Sequence, residues 1–408
     1  MVRTVTVFAL VACFTAACAA ETKPAATAAV ADATAETSAA DITNTDAAVD
    51  TAADAAADTN PAPALDYGVG VMEIFVDGAA GRKLPATVWY PIPPTTIGAA
   101  YSYLGLMASP NGAVLDAAAA KGPFPLVAFS HGNQGIRQQS VFLTEALAKR
   151  GYVVIAPDHI NNTFFDYDDK ILLAVALWRP VDLKASIDRL LKTDAKDPPW
   201  LAGLVDPKKI AVSGHSFGGY TALVVAGAVV TVPPAVLPNC ATPTAPKVVC
   251  DAIAAAGPMP FAFSDPRVSL VIPLAHCSAL WTFGLVLDKM KNLKVPAVIE
   301  AATGDDLCVY KTQAVPTYNA WAAPKALITL LGGNHFTYSD ICLLPVATGQ
   351  FAAYCKDRKP DLPSAHKAII QWTVAACDWF LKGKSEAKGA FAPGNQGLVD
   401  VLSEGIYP

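Results

Sequence analysis

The sequence predicts an α/β protein in which a mostly parallel central sheet is covered by helices on both faces. Short apolar segments, such as Pro125–Phe129 and Tyr152–Ala156, alternate with segments of helical spacing, such as Val141–Lys149 and Val181–Lys192. Strands that are apolar throughout are typical of parallel sheets, because both of their faces are buried. The chain has 408 residues, of which 53% are hydrophobic and 16% charged. This composition supports a large core and excludes a fully disordered chain.

Residues 1–18 have the composition of an export signal. A short start that contains Arg3 is followed by an apolar stretch rich in small residues. Cys13 and Cys18 each follow a tripeptide similar to the bacterial lipobox, in which the cysteine is lipidated after cleavage. We expect lipidation at one of these cysteines, or else ordinary export with cleavage near Ala19. The protein is therefore predicted to be an exported bacterial protein, lipid-anchored at the cell envelope or otherwise periplasmic or secreted.

Residues 19–64 are predicted to form a disordered tether. Of these 46 residues 20 are alanine, and the net charge of the segment is −7. No apolar stripe is present that a helix could bury. Since the whole chain has a net charge of −5 and Arg3 contributes +1, residues 65–408 carry about +1. We interpret 65–408 as one catalytic domain, whose near-neutral charge argues against nucleic acid as a partner.

Seven further cysteines follow the tether. None of them forms a Cys-x-x-Cys pair, so the spacing indicates no zinc or redox motif. Three disulfides and one free thiol explain an odd number most simply in an exported protein. Cys240 and Cys250 bracket a proline-rich segment and are the best candidate pair, and the other pairings are left open. The sequence predicts no cofactor and no metal, and it does not indicate an oligomeric state.

The nucleophile is predicted at a tight turn between a strand and a helix. The strand Ile210–Ser213 precedes this turn, and a helix follows from Tyr220. In a Gly-x-Ser-x-Gly turn the glycines make room for a crowded backbone, and the serine is strained with its hydroxyl exposed. Ser216 is therefore the predicted nucleophile. The turn has the sequence Gly214-His215-Ser216-Phe217-Gly218.

The general base that activates a serine is expected to be a histidine after a late strand. His335 follows the strand Ala326–Leu331 and two glycines, which places it in such a loop. Among the other histidines, His131 and His215 lie inside glycine-rich turns, and His276 lies in a proline-rich segment in which no strand is predicted. His335 is therefore the predicted base.

The carboxylate that orients this histidine is expected in the loop after the penultimate strand, Val295–Ala301. Asp305 and Asp306 both lie in that loop. The position of Asp305 makes it the first choice, and Asp306 is the alternative. Glu300 lies in the middle of the strand and is interpreted as a structural carboxylate.

Two backbone N–H groups are expected to bind the oxyanion of the tetrahedral intermediate. One belongs to Asn133, in the loop after the strand Pro125–Phe129, where Gly132 allows the backbone to approach the substrate. The other belongs to Phe217, at the start of the helix behind the serine, where the first N–H groups have no partner within the helix.

Together these motifs resemble the α/β-hydrolase superfamily, and within it platelet-activating factor acetylhydrolase and bacterial dienelactone-hydrolase-like esterases. The resemblance implies an α/β-hydrolase fold and a serine esterase. In that family a cysteine often stands three residues after the acid, so Cys308 favours Asp305 over Asp306. The segments 230–250 and 265–287 occupy the place where related enzymes vary their lid. The resemblance covers roughly residues 68–382 and is carried by Phe129–Gly132, Ile136-Arg137, Gly151–His159, Arg179–Asp182, Gly214–Gly219, Gly333–Phe336 and Ser339–Cys342.

The predicted activity is hydrolysis of short-acyl or lipid-like carboxylic esters through an acyl-enzyme, with Ser216, His335 and Asp305 as the triad. The substrate would be a small-molecule or lipid ester. The alternatives are an acyltransferase that uses the same triad and a polyester-degrading, cutinase-like hydrolase. A non-catalytic binding protein on a hydrolase scaffold is disfavoured, because all three triad residues are present.

Overall fold

The structure is a computed structural model, which describes residues 67–280, 283–322, 324–344, 352–355, 360–391 and 399–402. The predicted export signal (1–18) and tether (19–64), with Cys13 and Cys18, lie outside the described residues. The boundaries proposed for them, and the start of the catalytic domain at residue 65, therefore stay predictions.

Most strands of the described chain belong to one central sheet. The strands are β1 (Gly68–Asp77), β2 (Lys83–Ile92), β3 (Ser102–Tyr103), β4 (Met107–Ala108), β5 (Val114–Leu115), β6 (Phe124–Ser130), β7 (Val153–Pro157), β8 (Val205–His215), β9 (Val230–Thr231), β10 (Val268–Leu274), β11 (Ala279–Leu280), β12 (Phe283–Leu285), β13 (Ala297–Ala302), β14 (Lys325–Leu330) and β15 (Val399–Leu402). Ten of them form the sheet, in the order β15-β14-β13-β10-β8-β6-β7-β2-β1-β5.

The middle of this sheet is parallel throughout. The pairs from β7 through β6, β8, β10 and β13 to β14 are all parallel. Antiparallel pairs occur only toward the edges, where β2 pairs with β7 and β1, and β15 pairs with β14. Every residue of β6 and β7 is buried, as expected for strands covered on both faces.

Helices cover both faces of the sheet. They are α1 (Val141–Lys149), α2 (Leu172–Leu191), α3 (Phe217–Val225), α4 (Lys247–Ala256), α5 (Leu287–Met290), α6 (Ala314–Ala320), α7 (Ala352–Cys355) and α8 (Leu362–Phe380). Apolar residues of α1 and α8 share one core cluster, and those of α2 and α3 share the other. The predicted fold class is confirmed. None of the helices in the described ranges is long and apolar enough to cross a membrane.

One central strand lies where the sequence analysis expected none. β10 runs between β8 and β13, and all but one of its residues are buried. Pro273 interrupts the apolar run of this strand, and proline is a signal against a central strand. The interpretation of 265–287 as a variable lid segment is therefore wrong for its first half, which is part of the core.

His276 consequently follows a strand of the central sheet, contrary to the prediction. Its ring is buried, and Nε2 lies 3.0 Å from Thr317 Oγ1. Burial lowers the pKa of His276 to about 3, so the ring stays neutral. A Cβ on Gly219 would lie 2.6 Å from the His276 Cβ, which shows how closely His276 packs behind the start of α3.

The candidate residues all reach the same edge of the sheet. The oxyanion loop, defined here as residues 131–135, follows β6, and Ser216 follows β8. The acid loop, residues 303–308, follows β13, and the histidine loop, residues 331–340, follows β14. Because these four strands are parallel, their carboxyl ends meet at one edge, where ligands bind in open α/β sheets.

Candidate active site

Ser216 occupies a strained position between β8 and α3. Its backbone has φ 57° and ψ −119°, a left-handed conformation that non-glycine residues seldom adopt. The strain is held by the sheet, since the Ser216 N–H donates to the carbonyl of Leu274 in β10 at 2.9 Å. The serine hydroxyl makes no capping hydrogen bond to α3. The turn therefore presents the hydroxyl at the sheet edge, as the motif predicts.

The two motif glycines allow the turn to pack directly on the end of β6. A Cβ on Gly214 would lie 2.5 Å from two carbonyl oxygens, those of Ser130 and Gly218. A Cβ on Gly218 would collide even more closely with Ser130 O. Any side chain at these positions would separate the nucleophile from the oxyanion loop.

Asp305 and His335 form a buried pair beside this turn. His335 Nδ1 lies 2.8 Å from Asp305 Oδ2. The other carboxylate oxygen, Oδ1, accepts the N–H groups of Leu307 at 3.0 Å and Cys308 at 2.8 Å. A carboxylate can only accept, so Nδ1 carries the ring proton and Nε2 of the neutral ring keeps its lone pair. Asp306 is exposed, so the structure brings Asp305 and not the alternative against the histidine.

His215, the residue before the nucleophile, connects the histidine loop to the oxyanion loop. Gln139 Nε2 donates to His215 Nδ1 at 2.9 Å, and His215 Nε2 donates to the His335 carbonyl at 2.8 Å. Burial lowers the pKa of His215 well below its ordinary value, which keeps the ring neutral, and the carbonyl acceptor at Nε2 fixes the tautomer. The centroids of the His215 and His335 rings are 4.7 Å apart. The main chain of His335 is thus fastened to the residue next to Ser216.

The oxyanion loop is a tight turn with its tip toward solvent. The Gly132 N–H donates to Gln139 Oε1 at 2.8 Å, and the Gly135 N–H donates to the Gly132 carbonyl at 3.1 Å. Because its N–H is used in this way, Gly132 is not a candidate oxyanion donor. A Cβ on Gly132 would lie 3.3 Å from Ser216 Cβ, so the loop passes directly over the nucleophile. Asn133 follows at the exposed tip, and Phe217 begins α3.

Buried charges lie behind the oxyanion loop. Asp182 accepts two hydrogen bonds from Arg82 Nη2, at 2.6 and 2.9 Å, and lies 3.0 Å from His159 Nδ1. His159 Nε2 in turn lies 2.9 Å from Ser130 Oγ. Burial raises the pKa of Asp182 to about 6, while Arg82 opposes that rise. Arg179, also fully buried, belongs to the same cluster.

The described residues contain three disulfides, and two of them secure the loops that carry the acid and the histidine. Cys277–Cys308 ties the acid loop to the segment after β10, and Cys342–Cys355 ties the chain just beyond the histidine loop to α7. The third is Cys240–Cys250, as predicted, and Cys377 is the buried free thiol. Three disulfides are typical of a protein that folds outside a reducing cytosol. In the described part of the chain, no cluster of three or more His, Cys, Asp or Glu side chains is arranged to hold a metal ion.

The fold has a counterpart among solved structures. A ferulic acid esterase from Streptomyces cinnamoneus superimposes with a TM-score of 0.53 and 21% sequence identity, over 79% of this chain and 93% of that one. The chain has the α/β-hydrolase fold.

Sequence comparisons match part of the chain. The chlorophyllase family model matches residues 100–235, a range that contains the oxyanion loop and Ser216 but ends before Asp305 and His335. Cutinase est2 of Thermobifida alba is 26% identical over 214 residues, which are 52% of each chain. Cutinase cut1 of Thermobifida fusca is also 26% identical over 214 residues, 52% of this chain and 49% of that one. The chain therefore spans about half the length of the curated relatives it matches.

The sequence analysis missed the residues that support the candidate site from behind. No sequence motif points to Gln139, Asn162 or Thr221, and Arg179 and Asp182 belong only to a segment of the family resemblance. The available signal was Arg179 and Asp182, two charges that directly follow the apolar first half of α2, which indicates buried charges with specific partners.

Proposed function

We propose that this protein is a serine carboxylic-ester hydrolase that works through an acyl-enzyme. The observation that carries the proposal is the buried Asp305–His335 pair at 2.8 Å, whose histidine loop is fastened through His215 to the strained Ser216. A carboxylate, an imidazole with a free lone pair and a serine hydroxyl at the edge of the sheet are the components of nucleophilic catalysis at an ester.

In the proposed reaction Ser216 Oγ attacks the ester carbonyl carbon, and its proton passes to His335 Nε2. The negative oxygen that forms is bound by the N–H groups of Asn133 and Phe217. The bond to the alcohol then breaks, and the leaving oxygen takes the proton from His335. Water attacks the acyl-enzyme, gives its proton to His335, and the carboxylic acid leaves as Ser216 recovers its proton. Asp305 holds the ring and stabilises its charged form throughout.

We propose short-acyl or lipid-like esters as substrates. The near-neutral charge of residues 65–408 favours an uncharged or zwitterionic ester over a polyanionic one. A polyester hydrolase is the second candidate, favoured by the similarity to two Thermobifida cutinases over 214 residues. We further propose that the chain is exported and held at the cell envelope by a lipid on Cys18 or Cys13. The three disulfides support export.

A fluorophosphonate probe and p-nitrophenyl esters from acetyl to octanoyl test the activity. The wild type should be labelled and should hydrolyse the esters, and Ser216→Ala should abolish both. Asp305→Ala should lose about 10³–10⁴-fold in kcat, whereas the matched control Asp306→Ala should stay within threefold of the wild type. Absence of labelling, or activity that survives Ser216→Ala, would refute the proposal.

Release of soluble acids from a polyester film separates the two substrate classes. A small-ester hydrolase should prefer acetyl over octanoyl esters and leave the film intact, whereas film hydrolysis at a rate comparable to that of soluble esters would favour the second candidate. Globomycin-sensitive processing, with Cys13→Ala and Cys18→Ala compared, tests the lipid anchor. Normal processing in globomycin and in both variants would refute anchoring.

A further inference from the structure

Arg179 is a buried cation whose hydrogen bonds all point toward the site. It lies in α2 and is fully buried. Its Nη1 donates to Asn162 Oδ1 at 2.6 Å, and its Nε donates to Thr221 Oγ1 at 3.1 Å. Its Nη2 donates to Ser130 Oγ at 3.0 Å and to the carbonyl of His131. One guanidinium therefore contacts the end of β6, the oxyanion loop and α3.

The first set of contacts leads to Asn133. Because Arg179 binds Asn162 through the amide oxygen, the amide nitrogen of Asn162 faces the other way. That nitrogen donates to Asn133 Oδ1 at 2.7 Å. The side chain of the exposed loop tip is thus held by a buried asparagine whose orientation Arg179 determines. This bond restrains the Asn133 side chain, and the contact to the His131 carbonyl restrains the main chain two residues before it.

The second set leads to Phe217. Thr221 Oγ1 accepts from Arg179 and donates to the Phe217 carbonyl at 2.9 Å. The guanidinium carbon also lies 4.5 Å from the centroid of the Phe217 ring. Arg179 therefore holds the residue that supplies the second oxyanion N–H by its carbonyl and by its ring.

The charge of Arg179 is only partly balanced. The acceptors named above are all neutral, and the nearest carboxylate in α2, Asp182, is bound to Arg82 and His159. A buried positive charge without a carboxylate bonded to it produces a field that attracts negative charge developing nearby. The oxyanion is such a charge, and it would form on the side of the loop and helix that Arg179 contacts.

We propose that Arg179 is the positioning residue of the oxyanion hole, holding Asn133 through Asn162 and Phe217 through Thr221 and directing its positive charge toward the oxyanion. This inference rests on the proposed ester hydrolysis. It differs from a purely structural role in one respect: it requires the residue to stabilise the transition state more than the bound substrate.

Two substitutions in the full chain separate geometry from charge. Arg179→Gln removes both, and we expect kcat for p-nitrophenyl acetate to fall about 10²–10³-fold with KM within threefold, the usual loss for an oxyanion donor. Arg179→Lys keeps the charge but loses the planar fork, so its kcat should lie between those of Arg179→Gln and the wild type. Arg189→Gln, further along the same helix and bonded to Asp197 and to the Phe75 carbonyl, away from the site, is the matched control and should keep full kcat.

Asn162→Asp tests the route to Asn133 with an isosteric change that can still accept from Arg179. It cannot donate to Asn133 and it balances the charge, so kcat should fall about tenfold or more with KM little changed. Asn161→Asp adds the same charge one residue away and should have little effect. The losses of kcat in Asn133→Ala and Asn162→Asp should not add in the double variant, because both substitutions remove the same Asn162–Asn133 hydrogen bond.

The outcomes distinguish this inference from the proposed function. A wild type without esterase activity or probe labelling refutes the function itself. With an active wild type, unchanged kcat in folded Arg179→Gln and Asn162→Asp refutes the inference, as does a loss that appears in KM alone. If Arg179→Gln does not fold, the decision comes from comparing Asn162→Asp with Asn161→Asp and with Asn133→Ala. Full additivity of the kcat losses in Asn162→Asp and Asn133→Ala would overturn the proposal.

Discussion

Replacing Gly214 by alanine should uncouple the nucleophile from the oxyanion loop without changing the chemical identity of any catalytic residue. The added Cβ would lie 2.5 Å from the carbonyl oxygens of both Ser130 and Gly218. Ordinary van der Waals contact begins at 3.4 Å, so the distance between the new Cβ and each oxygen must increase by about 0.9 Å. Both obstacles are backbone atoms, and no rotation of a side chain can relieve the contact. The end of β6 and the start of α3 must therefore move apart.

The size of the effect follows from that displacement. A shift of about 1 Å in a catalytic geometry costs about 10²-fold in rate, and inserting an atom into a packed core costs about 1–3 kcal/mol of stability. We therefore expect kcat for p-nitrophenyl acetate to fall about 10²-fold in a protein that is still folded at 25 °C. KM should change little, because the substrate-binding surface outside the turn is unaltered.

Steady-state kinetics and thermal unfolding followed by circular dichroism measure the two effects. Gly389→Ala is the matched control, since a Cβ there would have no atom within 4 Å, and it should leave kcat and the unfolding temperature unchanged. A Gly214→Ala variant that is folded and keeps kcat within threefold of the wild type would refute the reasoning, because the two backbone oxygens would then have moved without disturbing the site.

Three other changes have defined outcomes. Replacing Cys277 and Cys308 by serine should cost about 3–4 kcal/mol of stability, from the 31-residue separation they close, and should lower kcat because the Cys308 N–H holds Asp305. Gln139→Leu should lower kcat about tenfold with little change in KM, because it leaves a buried N–H of the oxyanion loop unpaired. Glu300 is buried, and burial raises its pKa to about 8, so its contribution to stability is present below pH 4.5 and is lost as the pH rises toward 8. The free energy of unfolding of Glu300→Gln should therefore rise relative to that of the wild type between pH 5 and pH 9, by on the order of 4 kcal/mol in urea unfolding.

Each of these has a contrasting result. Replacing Cys240 and Cys250 should lower stability but leave kcat unchanged, and an equal loss of kcat there would show that the Cys277–Cys308 effect is not specific to the acid loop. A Gln139→Leu variant with a large rise in KM and normal kcat would place that residue in substrate binding. A constant difference in stability between Glu300→Gln and the wild type across the pH range would show that Glu300 is ionised in the folded protein.

The sequence alone predicted the fold class, which the structure confirms, and it singled out Ser216 and the histidine loop as candidates. Buried parallel strands have a continuous apolar run, and a strand-to-helix turn around Ser216 needs glycines at fixed positions, so both leave a local pattern. The same local reasoning missed β10, because Pro273 breaks the apolar run and only the neighbouring strands compensate for it. It also left Asp305 and Asp306 open, because two adjacent carboxylates in one loop look alike until the loop has a conformation.

Only the tertiary structure decided which side chains hold the site together. Asp305 is distinguished from Asp306 because its carboxylate accepts two N–H groups of its own loop and contacts His335, which lies 30 residues away in the sequence. The bond from His215 to His335 spans 120 residues, and that from Arg179 to Ser130 spans 49. Such partners leave no periodicity in the sequence. They meet because parallel strands bring their carboxyl ends to one edge, and there each buried polar group must find a partner or pay the cost of desolvation.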